Sequence, residues 1–142
     1  MRLLVPVDDS PPSRHAAEYA ARLAQEAGSS VEVELVNVRP PPEFYGGVAV
    51  LEYELFDRSL REAQQRLLAV ALEHAQRIGL TQVSIHAAQG VAAEEIVRVA
   101  QAKGVDQIVM GTHGRSTAGA VLMESVAYRV VHLAPMPVTL VK

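Results

Sequence analysis

The segment VDQIVMGTHGR, residues 105–115, decides how the rest of the chain is interpreted. Its first six residues form a short apolar run that is typical of a strand buried on both faces. Gly111 and Gly114 follow, and glycine lets the backbone turn tightly and bring its N–H groups close to a ligand. Ser125 is then in position to cap a helix from Val126 to Leu133. A glycine turn between a strand and a helix N-terminus favours phosphate binding, although a tight loop that binds nothing has the same pattern.

The composition is that of an ordinary globular chain. Its 142 residues are enough for one domain with a substantial core, and 49% of them are hydrophobic. A net charge of −3 provides no basic footprint for nucleic acid, and no apolar run is long enough to span a membrane. The absence of cysteine excludes disulfides, thiolate metal ligands and cysteine nucleophiles. The apolar run at the start of the sequence is short and is followed directly by Asp8-Asp9, which is not the pattern of a signal peptide. We therefore expect a cytoplasmic protein.

Short apolar strands alternate with amphipathic helices along the chain. We expect the strands at Leu3 to Val7, Val31 to Val38, Thr81 to Ala88, Val105 to Met110 and Val138 to Val141. Helical spacing of apolar residues predicts helices that begin after Ser10, which can cap the first of them, near Glu54 and near Ala93, before the last helix. The apolar face of the helix near Glu54 consists of Leu60, Ala63, Leu67, Ala71, Ala75 and Ile78. This order predicts a single doubly wound α/β domain over residues 1–142, with a parallel sheet covered by helices on both faces.

The segment from Pro40 to about Asp57 is the least regular part of the chain. It contains four of the six aromatic residues, together with Gly46-Gly47. A long irregular segment in a compact domain is typical of a lid, a partner contact or a mobile loop. The sequence does not distinguish these three roles.

Two sequence-distant turns are candidates for one site. Asp8 follows the first strand and Gly111 follows the fourth, and ligands of doubly wound sheets bind beyond the carboxyl ends of the strands. If the two strands are neighbours, both residues face the same crevice, which favours a ligand role for Asp8 over a role as a turn cap. His113 and Arg115 are in position to meet phosphates, although loop residues of these types are more often simply solvated. The histidines show no metal-ligand spacing, so we expect no metal site.

Taken in order, several short motifs resemble the universal stress protein family over essentially the whole chain. They are LVPVDDS at 4–10, VNV at 36–38, GVAAEEI at 90–96, DQIVMGTHGR at 106–115, SVA at 125–127 and APMPV at 134–138. The resemblance implies a five-stranded parallel sheet of order 3-2-1-4-5 and a homodimer formed through the last strand, Val138 to Val141. For the nucleotide-binding branch it also implies ATP or AMP in the crevice, with Mg²⁺ accompanying ATP.

The resemblance further implies which residues form this adenine-nucleotide site. Pro6, Val7 and Asp8 would line the adenosine site, with Asp8 at the ribose hydroxyls and Val38 beside the adenine. Met110, Gly111, Gly114 and Ser125 would surround the ribose and phosphates, and His113, Arg115 and Val126 complete the candidate set.

One position departs from the family's ATP-binding pattern of Gly, two residues, Gly, nine residues, Gly and then Ser or Thr. Gly111, Gly114 and Ser125 fit, but Glu124 stands in place of the third glycine. Its repulsion of a phosphate at about 4 Å is worth about 1 kcal/mol in water and about 4 kcal/mol at an effective dielectric of about 20. A helix N-terminus attracts negative charge by only roughly 0.3–1 kcal/mol. We therefore expect weakened triphosphate binding, with the adenosine contacts less affected.

Three functions compete at this point. The first is an adenine-nucleotide-binding stress-response regulatory protein with at most weak ATP hydrolysis, since neither a nucleophile–base arrangement nor a complete P-loop occurs. The second is a family member that binds no nucleotide and acts through protein interactions, which Glu124 favours. The third is a phospho-accepting receiver-like domain, because Asp8-Asp9 ends the first strand. A receiver needs a further Asp after the third strand, where this chain has Ala88-Gln89-Gly90.

Overall fold

The structure, a computed structural model, describes residues 1–28, 30–46, 50–112 and 126–142. Within these residues, five parallel strands form one sheet: β1 (Arg2–Pro6), β2 (Glu32–Arg39), β3 (Val83–Gln89), β4 (Gln107–Gly111) and β5 (Val138–Val141). The helices are α1 (Pro11–Ala27), α2 (Val50–Arg77), α3 (Ala92–Ala102) and α4 (residues 126–133), and Pro42–Tyr45 form a short 3-10 helix.

The strand order is β3-β2-β1-β4-β5, and every strand pair is parallel. This confirms the expected sheet. Because the chain moves outward from β1 to β2 and β3 and then crosses back to β4, the strand order reverses between β1 and β4. A crevice is therefore expected beyond the carboxyl ends of these two strands.

Two apolar layers sandwich the sheet. Leu3 and Val5 of β1 pack with α1 and α2 on one face, whereas Leu4 packs with α3 and α4 on the other. All three side chains are fully buried. Burial on both faces explains why the strands appear in the sequence as continuous apolar runs rather than as alternating ones.

Helix α2 differs most from the sequence prediction. It begins at Val50, four residues before the predicted start at Glu54, so part of the irregular segment is helical. Most of the predicted core face is confirmed, since Ala75 is buried and Leu67, Ala71 and Ile78 pack against the core. Ala63, however, is exposed, and Gln64 and Leu68 are buried instead. Apolar spacing alone did not predict that a polar side chain, that of Gln64, is buried between α2 and the sheet.

Gln64 bonds α2 to the ends of β2 and β3. Its Nε2 donates to the carbonyl oxygens of Asn37 and Ala88, both at 2.8 Å, and its Oε1 accepts from Nη1 of Arg39 at 2.9 Å. The residue is only 4% exposed, so these groups are shielded from water. A buried amide with every partner in place stabilises the packing of the helix on the sheet.

Replacement of this amide tests its contribution to stability. Gln64→Leu removes a hydrogen-bond donor from the carbonyl groups of Asn37 and Ala88 and leaves the Arg39 guanidinium with Gln89 as its side-chain partner, so we expect a loss of about 2–3 kcal/mol in the free energy of unfolding. The matched control is Gln65→Leu, the same change at the next, exposed position, with an expected effect within about 0.5 kcal/mol. Urea unfolding of the three proteins measures both values. Equal stabilities for the two variants would contradict this role of Gln64.

Candidate functional site

The start of α1 lies directly against the end of β4. A Cβ atom placed on Gly111 would lie 2.8 Å from the carbonyl carbon of Pro12 and 2.9 Å from its carbonyl oxygen. Backbone atoms cannot move aside as a flexible side chain can, so this close approach requires glycine at position 111. The Asp8 turn leads into this helix start, and it lies, like the turn after β4, at the carboxyl ends of two neighbouring parallel strands.

Asp8 is held in a cycle of three hydrogen bonds at the start of α1. Its Oδ1 accepts from the N–H of Ser10 at 2.8 Å, and its own N–H donates to Oγ of Ser13 at 2.9 Å. The N–H of Ser13 donates to Oγ of Ser10 at 3.3 Å, which confirms Ser10 as the helix cap. Asp8 thus orders the turn through one oxygen, and Oδ2 accepts no hydrogen bond from the described part of the chain.

Apolar candidates from three separate elements share the α3–α4 side of the sheet. Met110 at the end of β4 is fully buried, and Val38 and Val126 are partly buried against the same cluster. Pro6 is buried at the end of β1. These residues form an apolar wall near the carboxyl ends of the central strands, in which Met110 and Pro6 are covered by protein and Val38 and Val126 are partly exposed.

Val7 is the candidate whose side chain does not join this wall. It is 6% exposed and packs in the α1–α2 layer on the opposite face of the sheet. Its N–H donates to the carbonyl oxygen of Val36 at 2.8 Å, which continues the β1–β2 pairing beyond β1. A contribution of Val7 to the crevice would therefore come from its backbone.

The remaining candidates, His113, Gly114, Arg115 and Ser125, lie outside the described residues, as does Glu124. At the edge of this gap, the N–H of Thr112 donates to the carbonyl oxygen of Val141 at 2.9 Å. The chain thus leaves β4 while still paired with β5.

Sequence reasoning did not identify Ser13 and Asn37, which both contact the Asp8 turn. Asn37 on β2 donates from Nδ2 to the carbonyl oxygen of Val7 at 2.8 Å. The available signals were the serine three residues after the Ser10 cap and the single amide in the apolar run Val36-Asn37-Val38. Neither signal specifies its partner, because the contacts join elements distant in the sequence.

The described part of the segment between Pro40 and Asp57 is fixed to the β3 side of this edge. The hydroxyl of Tyr45 donates to Oδ1 of Asp57 at 2.9 Å and accepts from Nε2 of Gln89 at 3.1 Å. Its ring lies 5.4 Å from that of Tyr53 and 5.0 Å from that of Phe56. Burial, together with the Asp57 carboxylate, raises the pKa of Tyr45 above its ordinary value. The neutral phenol thereby remains the hydrogen-bond donor.

The opposite edge of the sheet has a polar depression of about 410 Å³. Its charges are paired internally, since Lys103 Nζ lies 2.9 Å from Oε1 of Glu34 and Arg2 Nε lies 2.9 Å from Oε2 of Glu32. Burial acts to raise the pKa of Glu34, but the hydrogen bond from Ser84 and the Lys103 ammonium together lower it. This depression lies at the amino ends of the strands, away from the crevice.

Among the described residues, the His, Asp and Glu side chains form no group of three or more that could hold a metal ion. In the same residues, no helix combines the length and apolar character that crossing a membrane requires.

The fold and the crevice define a doubly wound α/β domain with a candidate ligand site at the β1–β4 strand ends. The model of the Universal stress protein family matches residues 1–142, and the chain belongs to this family. It is 37% identical to the universal stress protein MJ0531 of Methanocaldococcus jannaschii, over 99% of this chain and 81% of that protein.

Solved structures give the same result. The structure of protein MJ0577, also from Methanocaldococcus jannaschii, matches with a TM-score of 0.76 and 29% identity, over 99% of this chain and 94% of that one. A universal stress protein from Archaeoglobus fulgidus in complex with dAMP matches with a TM-score of 0.70 and 25% identity, over 100% and 98% of the two chains.

The lowered pKa of Glu34 predicts how the depression affects stability as the pH changes. The folded-state pKa lies below the unfolded one, so the ionised carboxylate stabilises the fold above the unfolded pKa of about 4.3. This contribution is lost as the pH falls through the folded pKa. Glu34→Gln should therefore be less stable than wild type at neutral pH, and the difference should shrink below about pH 4. Urea unfolding at several pH values measures it; a difference independent of pH would contradict this assignment.

Proposed function

We propose that this chain is a cytoplasmic stress-response regulatory protein that binds an adenine nucleotide at the β1–β4 crevice, and that it binds AMP better than ATP relative to family members with the third glycine. The observation that carries the proposal is the close approach of Pro12, at the helix start that follows the Asp8 turn, to Gly111 at the carboxyl ends of neighbouring strands. The relative from Archaeoglobus fulgidus that shares the fold is in complex with dAMP, which supports an adenine nucleotide as the ligand.

The adenosine half of this site rests on described residues. Asp8 has one carboxylate oxygen that no described residue occupies, and a carboxylate oxygen is a strong acceptor for ribose hydroxyls. We propose that the partly exposed Val38 packs against the adenine, and that Met110 and Pro6, whose side chains are buried, adjoin the nucleotide through their backbones. Binding pockets of this type combine apolar walls with a few fixed polar groups.

The phosphate half belongs to the residues after β4. We propose that backbone groups at Gly111 and Gly114, with His113, Arg115, Ser125 and Val126 around them, receive the phosphates, and that Mg²⁺ accompanies ATP. Glu124 places a carboxylate in this half, where it repels a triphosphate more than a monophosphate. The proposal therefore favours AMP over ATP.

Catalysis is not part of this proposal beyond slow ATP hydrolysis. The described part of the crevice contains Asp8 as its only carboxylate among the candidate residues, and one of its oxygens is already bonded to Ser10. General acid–base chemistry requires a second positioned group. A regulatory protein whose function depends on the bound nucleotide fits this site better than an enzyme does.

A second candidate function is a family member that acts through protein interactions without nucleotide, and the observation in its favour is Glu124. The receiver-like alternative finds no support, because receivers have the strand order 2-1-3-4-5 and this sheet has 3-2-1-4-5.

We also propose a homodimer formed through Val138–Val141. Among the described residues, strand β5 pairs with β4 on one side only, and an open strand edge readily pairs with a second chain. Leu140 is 43% exposed, and the nearby α4 side chains Tyr128 and Val131 are also exposed. These apolar groups lie on the two elements at the end of the chain, which is consistent with one self-complementary surface.

Nucleotide titration tests the proposed ligand. By calorimetry, wild type should bind AMP, and Asp8→Asn should weaken AMP binding by about tenfold, because the acceptor to the ribose hydroxyls loses its charge. The neighbouring Asp9→Asn is the matched control and should leave AMP affinity within about twofold.

The same titration tests Glu124. Glu124→Gly should tighten ATP binding by at least about fivefold and change AMP binding less, since the carboxylate acts on the distal phosphates. Glu124→Gln retains bulk without charge and separates the two effects. If neither wild type nor Glu124→Gly binds any adenine nucleotide, the interaction-only function replaces the proposal.

Sedimentation of variants tests the dimer. Leu140→Lys places a charge on the exposed face of β5 and should convert the protein to a monomer at micromolar concentration, because burying an unpaired charge is unfavourable. Leu55→Lys is the matched control, since Leu55 is a 65% exposed leucine on α2. A wild-type monomer, or monomerisation by both variants, would contradict the β5 interface.

A further inference from the structure

We infer that Ser13 and Asn37 are positioning residues that clamp the Val7–Asp8 peptide unit and so direct the Asp8 carboxylate toward the ribose hydroxyls. This inference rests on the proposed function, because it assigns two further residues to the adenosine half of that site.

The clamp consists of two side chains that hold the two polar groups of a single peptide. Nδ2 of Asn37 donates to the carbonyl oxygen of Val7 at 2.8 Å. The N–H of Asp8, which belongs to the same peptide unit, donates to Oγ of Ser13 at 2.9 Å. Asn37 comes from β2 and Ser13 from α1, so two elements fix the plane of this peptide from opposite sides. The two hydrogen bonds restrain the backbone dihedral angles on either side of that plane.

The bond made by Ser13 differs from the usual bond of a residue at its helix position. In a capping box, the third helical residue bonds back to the N–H of the cap residue. Here the N–H of the cap, Ser10, donates instead to Oδ1 of Asp8, and the hydroxyl of Ser13 accepts from Asp8. The hydroxyl of Ser13 is thus committed to Asp8 rather than to the helix end.

Burial makes this arrangement rigid. Ser10 is 1% exposed and Ser13 is 4% exposed, so water does not compete effectively for the bonds of the cycle. With Oδ1 bonded to Ser10 and the backbone of Asp8 held on both sides, the carboxylate has little rotational freedom. Oδ2 is then the oxygen presented for a ligand. A preorganised acceptor binds a hydroxyl pair without losing side-chain entropy on binding.

The test compares AMP with 2′,3′-dideoxy-AMP, which lacks both ribose hydroxyls. We expect wild type to bind AMP about tenfold more tightly than the dideoxy analogue. In Ser13→Ala this ratio should fall to about twofold, because the loosened carboxylate no longer meets the hydroxyls. Asn37→Leu releases the same peptide from the other side and should lower the ratio in the same way, which provides a second variant if one fails to fold. Ser59→Ala, an exposed serine on α2, is the matched control.

The outcomes separate the two proposals. A purely structural role would weaken both ligands by the same factor and leave the ratio at its wild-type value, which overturns the positioning role while the nucleotide site stands. Equal binding of the two ligands by wild type overturns the ribose role of Asp8, and the clamp with it. No binding of AMP by wild type overturns the proposed function itself.

Discussion

The absence of a side chain at Gly111 permits the contact on which the rest of the crevice depends. The backbone of Pro12 occupies the space that a Cβ atom would require. This contact brings the start of α1 against the end of β4, although the two residues are far apart in the sequence. A larger residue at either contact point would move the helix outward, and the Asp8 turn with it, because the turn and the helix share the cycle of hydrogen bonds.

The two halves of the proposed nucleotide site differ in how they are built. The proposed adenosine half consists of strand ends and partly buried hydrogen bonds, so its shape is set by the same sheet that holds the domain together. The phosphate half follows β4, where the family pattern depends on glycine and where this chain has Glu124. Under this proposal, a change in the second half alters which nucleotide is bound without disturbing the fold. This separation is one physical route by which members of a family diverge in ligand preference.

Polar groups between α2 and the sheet show where sequence patterns are insufficient. The helical repeat predicted the existence of α2, but it assigned Ala63 rather than Gln64 to the buried side and began the helix at Glu54 rather than Val50. Gln64 can be buried because its amide forms hydrogen bonds with carbonyl groups of two strands and with the Arg39 guanidinium. The early start coincides with the packing of Tyr45 on Tyr53 and Phe56. Both features depend on partners that local spacing does not reveal.

The sequence by itself determined the alternation of strands and helices, the parallel sheet, the Ser10 cap and the candidacy of Asp8 and Gly111. Hydrophobic periodicity and glycine positions are local properties, and they persist in any arrangement of the chain. Only the tertiary structure decided that Val7 turns its side chain away from the crevice and that Ser13 and Asn37 hold one peptide between them. Those contacts join residues on separate elements, so they exist only once β1, β2 and α1 have come together.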